Sequence, residues 1–275
     1  MMGATTTPRL SVSNISWPIE YENEALSLLA ELHVDGIEVA PTKVFGDLFK
    51  VASAEVRAYR HRLMCQGLCI PALQGILFGS NDACLFRSEG SRRRMAVHLT
   101  RVADIASELR ACVCVFGAPT LRDPGDLLPA TARRIAVDFF GELAEVFASR
   151  GLTLCFEANP PLYNCRFITR TAEALSLVED VDRPGFGLQL DTGTVFVNGE
   201  DAGVIANAAE RIGHFHISEP SLVPIGTSRV DHTPIAATLK ASRYNRWISI
   251  EMKAVSDWKT ALVRAHELVS RTYLN

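Results

Sequence analysis

The chain lacks any surplus of positive charge: 28 Lys and Arg stand against 31 Asp and Glu, for a net charge of −3. That balance gives no reason to expect nucleic acid or an anionic membrane as a partner. No apolar run approaches transmembrane length. The opening residues Met1 to Arg9 contain no apolar h-region, so the chain reads as cytoplasmic. A glycine-rich phosphate loop of the GxGxxG or Walker type is also missing. The seven cysteines are odd in number and lie mostly in apolar segments, which argues against a disulfide framework. Cys112 and Cys114 have a spacing open to a soft metal, but Ala111 to Gly117 reads as a buried strand in which Cys packs as a small apolar residue. No linker, composition break or low-complexity tract interrupts residues 1–275, which are expected to form a single domain.

What is present is a rhythm. Hydrophobic residues make up 48% and charged residues 21%, ordinary for a globular protein. Short apolar runs begin at Leu10, Gly36, Leu68 and Val113, and each is followed by a helical pattern. The clearest helix carries Met95, Leu99, Val102, Ala106 and Leu109 on one stripe, and the last carries Trp258, Leu262, Ala265 and Val269. Pro41 is expected to stop the second strand, and Pro71 weakens the third, Leu68 to Gln74. The loop after it, through Gly75, Gly79 and Asn81, is long enough to cover a site. Eight strand–helix alternations favour a closed (β/α)8 barrel over an open doubly wound sheet, and one barrel of typically ~250 residues uses nearly all of the chain.

The second half carries the chemistry. Four runs end on metal-competent residues: Leu152 to Glu157, Phe186 to Asp191, Ile212 to His216 and Trp247 to Glu251. Their ends fall roughly 25 to 35 residues apart, an interval that suits consecutive parallel strands joined by crossover helices. Side chains alternate along a strand, so Glu157, Asp191, His216 and Glu251 can all face one axis at the C-terminal mouth, where (β/α)8 enzymes work. One such residue at a strand end is ordinarily a solvated loop residue; four in succession are harder to dismiss. Three carboxylates and one imidazole suit a single divalent ion, Mn²⁺ first, with Mg²⁺, Co²⁺ and Zn²⁺ as alternatives. A metal that polarises a ketone acidifies the neighbouring C–H. Glu157 and Glu251, three strands apart, can then flank the substrate from two sides.

Phe156-Glu157-Ala158-Asn159-Pro160, Leu190-Asp191-Thr192-Gly193, His214-Phe215-His216-Ile217-Ser218-Glu219 and Ser249-Ile250-Glu251-Met252 resemble the sugar isomerase/epimerase superfamily of xylose-isomerase-like TIM barrels. That superfamily includes ketose 3-epimerases and inosose-processing enzymes. The resemblance is tight over the second half and covers the first half only as strand rhythm. It implies that Glu157, Asp191, His216 and Glu251 ligate the metal, that Glu157 and Glu251 double as an acid–base pair acting through an enediolate, and that Glu219 supports substrate. It also implies a small carbohydrate substrate and leaves a homo-oligomer open, although no patch marks an interface.

The departures narrow the reading. Epimerase relatives often place a substrate-touching His three residues after the strand-six Asp; here Thr194 holds that position, so the grip on substrate must differ. Nuclease relatives use extra histidines after strands two to four and Asp-x-His after strand seven, whereas here Asp231 and His232 are adjacent. A hydride shift generally uses two metals. The sequence offers one convincing ligand set, which favours proton transfer. Two alternatives stay open: a lyase or dehydratase on the same metal site, and a non-catalytic sugar sensor.

Smaller features carry two readings each. His214, Gln189, Cys155 and Ser249 lie two residues before the four ligands, one layer deeper, and either orient them or fill the barrel; His214 and Gln189 favour the orienting role. Glu38 and Gln74 either touch a substrate hydroxyl or are solvated at strand ends. His232 and Arg229 either grip a hydroxyl or phosphate or belong to a solvated loop. Arg92, Arg93, Arg94 and Arg101 read as a solvated or subunit-contact face. Trp17, Phe78 and Phe116 wall the pocket or join the core, Lys253 is a weak candidate for the mouth, and His33, His61, His98 and His266 fall on helices without a role.

Overall fold

A computed structural model describes residues 7–275. The reading of a missing h-region therefore falls largely on residues 1–6, outside the described part. Eight parallel strands run β1 (Arg9–Ser13), β2 (Gly36–Glu38), β3 (Ala72–Leu73), β4 (Val113–Phe116), β5 (Thr153–Glu157), β6 (Phe186–Asp191), β7 (Ile212–Ile217) and β8 (Trp247–Ile250). They are ordered β2-β1-β8-β7-β6-β5-β4-β3, each neighbour in space being a neighbour in sequence apart from the β1–β8 closure. The helices are α1 (Glu22–Glu31), α2 (Pro41–Phe45), α3 (Ser53–Met64), α4 (Glu89–Leu109), α5 (Pro129–Ala148), α6 (Thr171–Val181), α7 (Thr192–Asn198), α8 (Gly203–Ala208), α9 (Thr233–Ala241) and α10 (Trp258–Val269). This is the expected TIM barrel.

The ring is weakest between β2 and β3. Only isolated bridges, Gly36 with Cys69 and Val39 with Leu73, join them. Pro71 explains the gap, because it has no N–H to give to the ladder, and the expected strand over Leu68 to Gln74 shrinks to Ala72–Leu73. Four bonds still close the barrel: Cys69 N to Asp35 O, Ile37 N to Cys69 O, Val39 N to Ala72 O and Gln74 N to Val39 O, at 2.9–3.0 Å. Gly36 permits this approach, since a Cβ there would stand 2.8 Å from the Cys69 carbonyl oxygen. Pro41 ends the run after β2 as expected and then serves as the first residue of α2.

Alternation along the strands sorts side chains into two environments. Outward residues join the main core beneath the helices. Phe116 and Phe156 stack at 5.5 Å, and Phe140 of α5 meets Phe116, Phe156 and Phe186 at 5.0–5.2 Å. The α4 stripe Met95, Leu99, Val102, Ala106 and Leu109 is buried as its spacing requires. Inside the barrel, Ala72, Val113, Val115 and Cys155 form a separate small apolar cluster. The opposite wall is polar: Ser13 pairs in register with Glu38, Gln189 with His214, and His216 with Ser249, all buried. The interior is thus apolar along β3 to β5 and polar from β6 round to β2, an arrangement that places polar groups under one side of the mouth. No helix among the described residues is long and apolar enough to cross a membrane.

Candidate metal centre

Three of the four expected ligands meet directly at the mouth. The Glu157, His216 and Glu251 ligand atoms lie within 4.8 Å of one another. His216 Nδ1 stands 3.6 Å from Glu157 Oε1 and 3.2 Å from Glu251 Oε2. His216 is buried, while the two glutamate side chains keep 12% and 13% of their surface, so the carboxylates form the edge that faces the opening. Asp191 is the in-register neighbour of His216 on β6. Its carboxylate caps its own helix α7, accepting from Gly193 N (3.3 Å), Thr194 N (2.9 Å), Thr194 Oγ1 (3.1 Å) and the Ser218 hydroxyl. Burial, with Glu157 and Glu251 adding negative charge nearby, pushes the Asp191 carboxyl up to about 7.

The other ring nitrogen of His216 points the opposite way. Nε2 is 3.0 Å from both oxygens of Glu38, and His214 Nε2 lies 3.4 Å from Glu38 Oε1. Burial would raise the Glu38 pKa, but His216 and His214 outweigh it and hold the carboxyl well below the usual range. Glu38 is thus an anion that fixes the proton of His216 on Nε2 and leaves the Nδ1 lone pair directed at two carboxylates. Nδ1 has no hydrogen-bond partner although it is buried. Three nitrogen and oxygen atoms converging in this way fit a cation. Without one, burial would lower the His216 pKa, but Glu38 and Glu251 raise it well above the ordinary value, so a proton takes the same place.

Each glutamate is also held by an amide. Asn159 Nδ2 donates to Glu157 Oε2 at 2.7 Å, and Gln74 Nε2 donates to Glu251 Oε1 at 2.9 Å. In each case the second oxygen is the one that faces His216. Gly117 makes room on one side, since a Cβ there would come 2.8 Å from Glu157 Oε2. Tyr163, in the loop after β5, accepts the Ser221 N–H at 2.8 Å and ties that loop to the one after β7.

Several residues expected to touch substrate have other work. Glu38 is fully buried beneath the histidines, not at a hydroxyl subsite. Gln74 holds Glu251. Thr194 Oγ1 lies 3.0 Å from the Ala158 carbonyl oxygen and 3.1 Å from Asp191, inside the α7 N-terminus. Glu219 is buried and accepts from Gly226 N and from Ser228 N (2.7 Å), with His232 Nε2 3.5 Å away; His232 Nδ1 is 2.8 Å from the Tyr273 hydroxyl. Glu219 and His232 therefore clamp the loop after β7 to the C-terminal segment. Arg229 and Lys253 are exposed. Gln189 turns its Nε2 to the Leu190 carbonyl (3.3 Å), and His214 reaches His216 through Glu38. Trp17 and Phe116 are fully buried in the core, while Phe78 is 78% exposed. Arg101 bonds the Leu48 and Val51 carbonyls, so it pins a loop instead of lying on a solvated face.

Sequence reasoning passed over Asn159 as a functional side chain, although it lies inside the Glu157 motif. It also gave no role to Arg122, Gly117 or Tyr163, which sit in irregular loops where spacing carries no periodic signal.

Comparison with known proteins agrees with this architecture. A curated L-ribulose 3-epimerase of Methylomonas sp. (strain DH-1) is 32% identical over 111 residues, spanning 40% of this chain and 38% of the relative. The chain thus matches about two fifths of that relative's length. Among solved structures, an L-ribulose 3-epimerase superposes with a TM-score of 0.82 at 18% identity, covering 97% of this chain and 95% of that one. A D-psicose 3-epimerase determined in the presence of D-fructose superposes with a TM-score of 0.81 at 17% identity, covering 96% and 99%. At such identities these structures bear on the fold alone. The profile of the xylose isomerase-like TIM barrel family matches residues 26–272, nearly the whole chain, and the chain belongs to that family.

Proposed function

We propose that this protein is a sugar epimerase or isomerase that acts on a small keto sugar with one divalent metal held by Glu157, Asp191, His216 and Glu251. The observation that carries the reading is the buried, unpartnered Nδ1 of His216, aimed at Glu157 and Glu251 while Glu38 holds the opposite nitrogen. The oxygen-rich donor set suits Mn²⁺, with Mg²⁺, Co²⁺ and Zn²⁺ as competitors. When bound, the ion supplies Lewis-acid polarisation of the substrate carbonyl, which acidifies the adjacent C–H.

The chain's own residues supply the proton traffic. Glu157 on β5 and Glu251 after β8 approach the mouth from different sides of the ring. Asn159 and Gln74 fix their rotamers, so each carboxylate keeps one oxygen toward the centre. One takes the proton beside the carbonyl and the other returns one. Return to the opposite face of the same carbon inverts it; return to the neighbouring carbon, with the hydroxyl proton passing to the former carbonyl oxygen, moves the carbonyl. The 32% identity over 111 residues to a curated L-ribulose 3-epimerase supports the first outcome.

The test is a panel of ketoses incubated in deuterated water with and without added Mn²⁺. Metal-dependent deuterium incorporation with inversion, lost in Glu251→Gln, is the expected result. Dehydration in place of exchange would support the lyase, and loaded protein that exchanges no substrate proton would support a sensor.

A further inference from the structure

Arg122 is fully buried in the loop after β4, and among the described residues no carboxylate lies within ion-pairing distance of it. Its guanidinium is instead surrounded by neutral groups. Nη1 donates to the Gly117 carbonyl at 2.7 Å, and Nη2 donates to Asn159 Oδ1 at 3.1 Å and to the Ile168 carbonyl and Cys165 Sγ at 3.4 Å. The Phe156 ring lies beneath it, with 4.5 Å from Cζ to the centroid. Burying a cation among neutral partners is costly, and a fold keeps such an arrangement against that cost.

We propose that Arg122 is a positioning residue for Glu157, acting through Asn159. Arginine can only donate hydrogen bonds, so the Asn159 amide must turn its oxygen toward Arg122. Its NH₂ group is then forced toward Glu157 Oε2, at 2.7 Å. Holding Oε2 there leaves Oε1 as the oxygen that faces His216 Nδ1. The slot is closed by Gly117: its carbonyl accepts the other arm of Arg122, and its missing side chain makes room for Oε2. The two glutamates are therefore not equivalent. Glu157 sits at the end of a cation-backed relay spanning β4 and β5, whereas Glu251 is held by one neutral amide from Gln74. This inference rests on the metal-centre reading and adds the residue that sets its geometry on the β5 side.

Arg122 also ties together the loops after β4 and β5, so loss of stability alone does not separate positioning from stapling. A double-mutant cycle does. Mn²⁺ affinity of the apoprotein is measured by calorimetry for wild type, Arg122→Met, Asn159→Ala and the double variant, beside their melting temperatures. Positioning predicts that each single change weakens Mn²⁺ by about 10- to 100-fold, the range for groups that orient ligands, and that the double variant is no weaker than the worse single one. Losses that multiply in the double variant overturn the proposal. So does an Arg122→Met protein that melts lower yet binds Mn²⁺ within about twofold of wild type. If Arg122→Met does not fold, Asn159→Ala decides, because unchanged affinity there removes the relay's middle member. Wild type that takes up no Mn²⁺ overturns the metal centre and this inference together, an outcome distinct from a relay that fails while wild type loads.

Discussion

His216 has two ring nitrogens, and each faces carboxylate: Glu38 on the inner side, Glu157 and Glu251 on the outer. The imidazole can donate from one side and ligate from the other only if its tautomer is fixed, and Glu38 fixes it. Replacing Glu38 with Gln keeps the shape but offers one acceptor and one donor where two acceptors stood, so the amide NH₂ meets a ring N–H. Glu38→Gln should weaken divalent-metal affinity about 10- to 100-fold, measurable by calorimetry on the apoprotein. Glu251→Gln should abolish turnover and weaken metal binding, whereas Arg93→Ala, at an exposed residue of α4, should do neither. Full activity in Glu251→Gln would remove the acid–base assignment. The four candidate ligands were legible in the sequence because each closes a strand and strands have a fixed alternation. The role of Glu38 was not, since a strand end near solvent and a strand end beneath two histidines look alike until β7 is placed beside them.

The βα-loops show where periodicity stops helping. Pro71 was visible as a weakness in the third strand, but nothing in the sequence indicated that Gly36 would let β2 approach closely enough to close the ring. Glu219, His232 and Arg229 share one loop and invite a common substrate role. The fold separates them: Arg229 is exposed, and Glu219 and His232 turn inward as a clamp. Burial raises the Glu219 pKa, but hydrogen bonds from His232, Ser228 and Gly226 outweigh it and bring the carboxyl from 4.5 down to about 2. A folded-state pKa below the unfolded one contributes stability above about pH 4.5, which is lost as the pH falls toward 2. Glu219→Gln should therefore melt below wild type at neutral pH, and the gap should narrow as pH drops through that window. A gap constant down to pH 2 would show that the clamp does not depend on the charge. In the helical layer, Phe140 touches three strand phenylalanines, and Phe140→Ala should cost about 3–5 kcal/mol by chemical denaturation.

At the scale of the whole molecule, the barrel converts Glu157, His216 and Glu251, far apart in sequence, into one cluster with Asp191 on the strand beside it, and the same closure converts ligand binding into stability. A cation that binds only the folded chain should raise the melting temperature with its concentration, adding about 2.7 kcal/mol of unfolding free energy at a hundredfold excess over Kd. Chelation should reverse the shift. Eight alternations sufficed to read the barrel, because strand count and connection length leave few other closures. The polar half of the interior was readable only in part: spacing put Gln189, His214 and Ser249 one layer below the ligands, but the burial of Ser13 and Glu38 beside them depends on which strands face each other across the axis. The most direct test is the divalent-metal content of the purified protein by elemental analysis, before and after chelation, beside His216→Ala. The account predicts about one ion per chain in wild type, removed by chelator, restored by Mn²⁺ and absent from the variant. Wild type that holds no metal and takes up none from Mn²⁺, Co²⁺ or Zn²⁺ would contradict it and leave Glu157, Glu251 and His216 as a proton-bridged structural cluster.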